Sequence, residues 1–145
     1  IGRLKYRRRG GTDVRPATRD ALVARLGRHD RLVEVGIGNR PDVAAALVDR
    51  ASVTATDVHD RPVPEGVRFV RDDVTAPDVS VYRDADALYA LNLPPELHRP
   101  TWDLARRCGA AFLFTTLGGD GPAIPFDREP LPGDVLFSAR QTPSA

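Results

Sequence analysis

The most informative stretch of this 145-residue chain is LVEVGIGNRP, residues 32–41, in which an apolar run meets two closely spaced glycines. Such a run is typical of a buried strand that ends at a tight turn. Gly36 and Gly38 lack a Cβ, so the backbone can turn sharply there and lie close to a ligand. Pro41 suits the first turn of a helix, where free N–H groups favour an anion. The stretch therefore predicts a strand, a turn and a helix with a candidate binding site between them.

The composition is that of a globular protein with one domain. Hydrophobic residues make up 41% and charged residues 28% of the chain. The single Cys108 excludes an internal disulfide and a cysteine-rich metal site, and the three histidines have no ligand spacing, so no metal is predicted. No apolar run is long enough to span a membrane and no signal peptide is visible, so we expect a cytoplasmic protein.

Short apolar strands alternate with helices along the chain. Strands are predicted at 31–35, 52–57, 67–71, 85–91 and 110–116, and helices at 13–28, 41–50 and 95–107. This alternation predicts an α/β fold, a three-layer Rossmann-like domain with a mostly parallel five-stranded sheet in the order 3-2-1-4-5. The segment after residue 116 is rich in glycine and proline, so the sheet is expected to be truncated after strand 5, with at most a short strand at 135–138.

The chain is predicted to have three parts. Residues 1–12 form a basic flexible arm, residues 13–138 a single Rossmann-like domain and residues 139–145 a flexible tail. The arm carries five basic residues, namely Arg3, Lys5, Arg7, Arg8 and Arg9. Such an arm could contact phosphates, which makes RNA a candidate partner, although a solvated segment without a ligand explains the same residues.

The acidic residues at the predicted strand ends are candidates for binding a nucleotide, because ligands of such sheets lie beyond the carboxyl ends of the strands. Asp57 ends the second strand, about 20 residues after the glycine turn, where nucleotide-binding Rossmann units place a carboxylate for the ribose hydroxyls. Asp72 and Asp73 follow the third strand and could accept a hydrogen bond from an adenine amine. Each could equally be the first residue of an Asx turn.

Asn92, which follows the fourth strand, is the candidate catalytic residue. In the predicted strand order it lies beside strand 1 and faces the reactive end of a nucleotide cofactor, where its amide offers a donor and an acceptor to a substrate. The alternative is that this stretch only ends a strand, since Pro94 and Pro95 stop the strand and begin a helix. No motif of a serine hydrolase or a P-loop NTPase is present.

The glycine turn resembles motif I of the Rossmann-like S-adenosylmethionine (SAM) methyltransferases, through Glu34-x-Gly36-x-Gly38. Pro41 stands where the dinucleotide fingerprint has its third glycine, which disfavours NAD. The resemblance implies that Glu34, Gly36 and Gly38 line the methionine part of SAM. It also implies that Asp57 holds the ribose and that Asp72 or Asp73, with Val74, lies near the adenine. Their neighbours Asn39 and Val58 complete the predicted cofactor site.

Three stretches together resemble a small uncharacterised archaeal family of short Rossmann-like domains akin to methyltransferases. They are EVGIG at 34–38, ATDV at 55–58 and LYALNLPPEL at 88–97, and the resemblance covers residues 17–125. The family implies a fold without a reaction. NLPPE is also similar to the Asn-Pro-Pro-aromatic motif of amino-group methyltransferases, although Leu93 is inserted and the aromatic residue is absent.

These patterns leave three functions open. The first is a SAM-dependent methyltransferase with an unknown acceptor. The second is a non-catalytic module that binds a nucleotide or docks a partner, and the third is an NAD-binding domain. Fold analogy alone does not choose among them.

Overall fold

The computed structural model describes residues 14–118 and 121–141. The basic arm predicted at 1–12 and the end of the predicted tail, residues 142–145, lie outside the described residues. No helix in the described part of the chain has the length and apolar character needed to span a membrane.

One seven-stranded sheet organises the described residues, in the order β3-β2-β1-β4-β5-β7-β6. In chain order the elements are α1 (Pro16–Leu26), β1 (Arg31–Val35), α2 (Asp42–Leu47), β2 (Ser52–Asp57), β3 (Val67–Arg71), β4 (Ala87–Ala90), α3 (His98–Cys108), β5 (Ala111–Phe114), β6 (Phe126–Leu131) and β7 (Asp134–Ala139). The predicted α/β Rossmann-like fold and the order of its first five strands are confirmed.

The strands β1 to β5 are parallel, so their carboxyl ends meet at one edge of the sheet. The central strands β1 and β4 are almost wholly buried, as expected for strands that are covered on both faces. Registers align Val35 of β1 with Thr56 of β2, and Glu34 of β1 with Tyr89 of β4. The residues that follow β1, β2 and β4 are thereby placed beside one another.

Helices cover the sheet on both sides. On one face α1 and α2 bury a cluster that includes Leu22, Leu26 and Leu47 against β1, β2 and β4. On the other face α3 packs through Trp102 and Leu104. The connections on either side of β3 are reduced: β2 leads to β3 through an irregular loop, and β3 leads to β4 through a 3₁₀ turn at Val79–Val81.

The prediction that the sheet ends after strand 5 is wrong, because β6 and β7 form an antiparallel hairpin that joins the sheet beside β5. Pro130 is accommodated because β6 is the edge strand, where a missing N–H need not break the ladder. Pro132 and Gly133 connect the two strands, and Gly133 has the positive φ, 74°, that such a turn requires. The short strand predicted at 135–138 is the middle of β7, which ends at Ala139, one residue inside the predicted tail.

Side-chain hydrogen bonds and an ion pair join helix α1 to this hairpin, although the two are far apart in sequence. Arg25 Nε donates to Glu129 Oε1 at 2.8 Å, and Arg25 Nη2 donates to Glu129 Oε2 at 3.2 Å. The Thr18 hydroxyl donates to the carbonyl of Pro132. The first helix and the last two strands therefore form one packed unit.

Candidate functional site

The glycine turn after β1 adopts a conformation that glycine favours. Gly36 and Gly38 have φ values of 70° and 57°, in the left-handed region. The N–H groups of Gly36 and Ile37 both donate to the carbonyl of Thr56, at 2.9 and 3.1 Å, which fixes the turn against the end of β2. A Cβ added to Gly36 would have no atom of the described chain within 4 Å. The turn therefore presents open space at Gly36.

Asp57, at the end of β2, is joined directly to this turn. Its Oδ2 accepts from the N–H of Gly38 at 2.8 Å, and its Oδ1 accepts from the N–H of His59 at 3.0 Å. Burial by itself raises the pKa of Asp57, but these two hydrogen bonds and the charge of Arg61 outweigh it and lower the pKa. Asp57 is thus ionised and held in place by the main chain.

Arg61 lies across the gap between the two strand ends. Its Nη1 donates to Asn39 Oδ1 at 3.2 Å, and its Nε lies 3.4 Å from Asp57 Oδ1. The second contact is an ion pair and not a hydrogen bond, since the Arg61 Nε has no hydrogen-bond partner among the described residues. The side chain is 26% exposed, so it can move away from Asp57 at small cost.

Glu34 is the second carboxyl group of the site, and it is buried inside the sheet. Only 1% of the residue is exposed. Tyr89 on the neighbouring strand donates its hydroxyl to Glu34 Oε1 at 2.6 Å, whereas Oε2 has no hydrogen-bond partner in the described structure. Burial raises the pKa of Glu34 to about 8, although the hydrogen bond from Tyr89 and the charge of Arg40 oppose that rise. Glu34 is therefore protonated at neutral pH unless a cation approaches it.

Asp72 and Asp73, at the end of β3, hold the loop that follows the strand. Asp72 accepts from the Tyr82 hydroxyl at 2.6 Å and from the N–H of Asp78 at 3.0 Å. Asp73 accepts from the N–H and the hydroxyl of Thr75, at 2.9 and 2.7 Å, which is the predicted Asx-turn alternative. Asp73 is exposed, and both of these hydrogen bonds are accepted by its Oδ1.

Val58 adds an apolar surface next to Asp57. The residue is 48% exposed, and it is one of only two large hydrophobic residues that are exposed in the described part of the chain. Such a side chain places an apolar surface directly beside an ionised carboxylate.

Asn92 has an unusual backbone at the end of β4. Its φ of 53° is the only positive φ of a non-glycine residue in the described ranges. The conformation is held because the Asn92 N–H donates to Thr115 Oγ1 at 2.8 Å and the Leu93 N–H donates to the Thr115 carbonyl at 2.9 Å. Non-glycine residues in this region are strained and are often found at functional sites. The Asn92 side chain makes no hydrogen bond to the residues that the structure describes.

Asn92 also lines a hollow that the sequence did not reveal. The hollow has a volume of about 130 Å³ and lies between α1, the end of β4 and the turn of the hairpin. Arg40 forms part of its wall and donates from Nη2 to the Leu91 carbonyl at 3.0 Å. The one sequence signal for Arg40 was its place, two residues after Gly38, where motif I often has another glycine.

The structure brings some of the predicted residues together and separates others. Gly38, Asn39 and Asp57 meet through direct contacts or through Arg61, and the N–H of Asp72 donates to the Asp57 carbonyl at 3.0 Å. Asn92 lies on the other side of β1, at the end of β4. Among the described residues, no group of three or more His, Cys, Asp or Glu could hold a metal ion.

The chain belongs to an uncharacterised protein family, UPF0146, whose model matches residues 18–130. A UPF0146 protein of Halobacterium salinarum is 54% identical over 121 residues, which cover 82% of this chain and 94% of that protein. A UPF0146 protein of Archaeoglobus fulgidus is 45% identical over 91 residues, which cover 62% of this chain and 70% of that protein. The predicted membership of a short archaeal family is confirmed.

Solved methyltransferases have a similar fold. An RNA methyltransferase from Salinibacter ruber, in complex with S-adenosyl-L-homocysteine (SAH), superimposes with a TM-score of 0.62 at 16% identity, over 87% of this chain and 91% of that chain. A precorrin-6y C5,15-methyltransferase from Geobacter metallireducens has a TM-score of 0.65 at 11% identity, over 95% of both chains. At such identities the similarity shows the fold alone, which is methyltransferase-like.

Proposed function

We propose that this UPF0146 chain binds SAM at the carboxyl ends of β1, β2 and β3 and transfers its methyl group to an acceptor. The 2.8 Å hydrogen bond from the Gly38 N–H to Asp57 Oδ2 carries the proposal, because it joins the glycine turn and the candidate ribose ligand at one point. The methyltransferase-like fold of the chain is consistent with it. NAD is disfavoured because Pro41 replaces the third glycine of its fingerprint.

Asp57 keeps the capacity to accept ribose hydroxyls although its own chain already contacts it. A carboxylate has about four acceptor positions, and the N–H groups of Gly38 and His59 use two of them. Arg61 is the movable neighbour, whereas the main-chain contacts fix the carboxylate. Val58, exposed next to Asp57, supplies an apolar surface for the adenine.

Glu34 fits the positively charged methionine end of SAM. Its Oε2 is buried without a partner in the described structure, and such an atom is costly to leave unpaired. A ligand ammonium group would supply that partner and would favour the ionised carboxylate. The residues present therefore suit a ligand with hydroxyl groups near Asp57 and a cation near Glu34.

The contribution of the chain to methyl transfer is positioning. SAM, when bound, supplies an electrophilic methyl group on a positively charged sulfur. The Asn92 amide does not take up a proton, so its role is to orient the acceptor through one donor and one acceptor group. The proton of the acceptor then passes to solvent.

A pair of glycine substitutions tests SAM binding. Gly36 and Gly109 have nearly the same positive φ, 70° and 68°, and a Cβ would meet open space at both. Gly36→Ala and Gly109→Ala should therefore cost similar folding free energy, roughly 1 kcal/mol. Only the alanine at Gly36 would project into the proposed cofactor site. Isothermal titration of the full chain with SAH should show at least about tenfold weaker binding for Gly36→Ala and unchanged binding for Gly109→Ala.

Two results would contradict the proposal. One is equal SAH affinity of the two variants and the unsubstituted chain, and the other is tighter binding of NAD than of SAH. Incubation with SAM labelled in the methyl group and with a cell extract would then test transfer as distinct from binding.

A binding module without catalysis is the second candidate function. The reduced connections on either side of β3 favour it, because no α-helix is present there among the described residues to help shape a pocket for an acceptor. Tight SAH binding with no transfer of labelled methyl groups would support this candidate over the first.

RNA as the acceptor or partner remains a prediction, since the basic arm lies outside the described residues. Phosphate contacts through arginine and lysine weaken as salt rises. Deletion of residues 1–11 should therefore remove a salt-sensitive affinity for single-stranded RNA. If the shortened chain kept that affinity, the arm would not be the segment that binds RNA.

A further inference from the structure

The hollow beside Asn92 is walled by two guanidinium groups from different parts of the chain. Arg15 precedes the first residue of α1, and Arg40 follows the glycine turn. The Arg15 Nη1 lies against the hairpin turn, where a Cβ on Gly133 would come within 2.7 Å of it. The absence of a side chain at Gly133 therefore leaves space for the guanidinium group of Arg15.

Each guanidinium group has N–H donors without a hydrogen-bond partner in the part of the chain that the structure describes. Arg15 makes no ion pair or hydrogen bond there through its side chain. Arg40 donates from Nη2 to the Leu91 carbonyl, but its Nε is buried without a partner among the described residues. A buried donor without a partner is costly, and an anion would satisfy it.

The acidic groups nearby do not cancel both charges. Asp134 is the one carboxylate in the wall, and its Oδ1 accepts from the N–H of Val135. Asp42 and Glu34 are not among the residues that line the hollow, and Glu34 is protonated at neutral pH in the absence of a cation. The wall therefore holds two guanidinium groups and one carboxylate, which leaves one excess positive charge beside the neutral amide of Asn92.

We propose that Arg15 and Arg40 bind a negatively charged group of the methyl acceptor, a carboxylate or a phosphate, in this hollow. The inference rests on the proposed function, since it names the chemical class of that reaction's acceptor. Guanidinium groups match both anions through paired N–H donors. The Asn92 amide, in the same wall, would then hold a second polar group of the acceptor.

The experiment uses the full chain and two probe anions, inorganic phosphate and succinate. Thermal unfolding is followed while each anion is added at constant ionic strength, with and without saturating SAH, so that general screening does not change. We expect saturable stabilisation by at least one anion. Its dissociation constant should be the same, within twofold, in the presence of SAH. The probe with the lower dissociation constant, phosphate or succinate, indicates whether the acceptor carries a phosphate or a carboxylate.

Substitution of Arg15 assigns the binding to the hollow. Arg15 is exposed, so Arg15→Gln should fold normally and should weaken anion binding about tenfold, with SAH binding unchanged. Arg19→Gln is the matched control, because Arg19 lies in the first turn of α1, four residues after Arg15, and pairs with Asp20. This control should leave both affinities unchanged.

The possible results are separable. No saturable effect of either anion, or no difference between Arg15→Gln and Arg19→Gln, would overturn the inference. Competition between the anion and SAH would also overturn it, because the arginines would then hold the carboxylate of the cofactor. Anion binding without any SAH binding would contradict the proposed function and leave only an anion site.

Discussion

Glu34 and Asp57 are carboxyl groups near the ends of adjacent strands, yet the protein treats them in opposite ways. Asp57 accepts two main-chain hydrogen bonds and faces a cation, so its pKa is lowered. Glu34 accepts one hydrogen bond, from Tyr89, and is buried with a second oxygen that has no partner in the described structure, so its pKa is raised to about 8. Both carboxylate oxygens of Asp57 accept hydrogen bonds from the main chain, whereas one oxygen of Glu34 accepts none from the described residues.

This difference suits the two carboxyl groups to different ligand groups. Under the proposed function, Asp57 would serve as a fixed acceptor for a neutral partner such as a ribose hydroxyl. Glu34 would bind a charged partner and would lose its proton when it does so. The four predictions that follow test this contrast, in order of decreasing effect on the free energy of unfolding.

The largest effect is the pH dependence that Glu34 contributes. Its pKa is about 8 in the folded chain and 4.5 ordinarily, so the fold binds its proton more tightly than the unfolded chain does. Its contribution to stability is therefore fully present below pH 4.5, falls as the pH rises and levels off above pH 8. The fall amounts to at most about 5 kcal/mol. Glu34→Gln should remove it from urea unfolding curves measured between pH 5 and 8.5.

Glu65→Gln is the control for this measurement, because Glu65 is exposed. Its pH profile should match that of the unsubstituted chain. If Glu34→Gln kept the same decline, Glu34 would not be the titrating group and the contrast with Asp57 would fail.

The second effect is the loss of the Asp57 carboxylate. Asp57→Ala leaves the N–H groups of Gly38 and His59 without their acceptor, so it should cost about 2–3 kcal/mol. Asp60→Ala, at an exposed neighbour, should cost less than about 0.5 kcal/mol. Urea unfolding at pH 7 measures both. Equal stability of the two variants would show that the Asp57 hydrogen bonds do not fix the glycine turn.

The third effect comes from the hydroxyl of Tyr89. Tyr89→Phe leaves Glu34 without its hydrogen bond, so it should cost about 1–2 kcal/mol and raise the pKa of Glu34 further. The decline in stability should therefore end at a higher pH. Tyr82→Phe, which removes a buried hydroxyl from Asp72 instead, should leave the profile above pH 5 unchanged. An unchanged profile for Tyr89→Phe would mean that Tyr89 does not influence Glu34.

The smallest effect on stability belongs to Arg61. Its ion pair with Asp57 is long and partly exposed, so Arg61→Gln should cost less than about 1 kcal/mol. SAH should bind two- to threefold more tightly to this variant in a calorimetric titration, because Asp57 loses a competing cation. Arg28→Gln, at an exposed residue, should leave the affinity as it was. Weaker SAH binding by Arg61→Gln would show that Arg61 contacts the ligand.

The first five strands were predictable because each is a short apolar run that ends at a turn signal. The bounds of β1, β2 and β3 match the prediction. The hairpin was missed because Pro130 and Pro132 are usually evidence against a strand. Only the edge position of β6, which is a property of the whole sheet, makes Pro130 acceptable.

The candidate site could be predicted only where position along the chain determines position in space. Gly36, Gly38 and Asp57 were predicted to lie close together because each lies at or just after the end of a strand, and the structure joins the glycine turn to the end of β2. Tyr89 was missed because its contact with Glu34 depends on the register between β1 and β4, which no local pattern gives. Arg15 was missed for the same kind of reason, since its neighbour in space is Gly133.

The ion pair between Arg25 and Glu129 has a consequence for synthesis on the ribosome. Its two residues are 104 positions apart, so α1 leaves the ribosome long before its partner exists. Contacts of such separation form late in folding. This ion pair therefore forms late, whereas α1 can pack against α2 and β1 as soon as those neighbouring segments have been made.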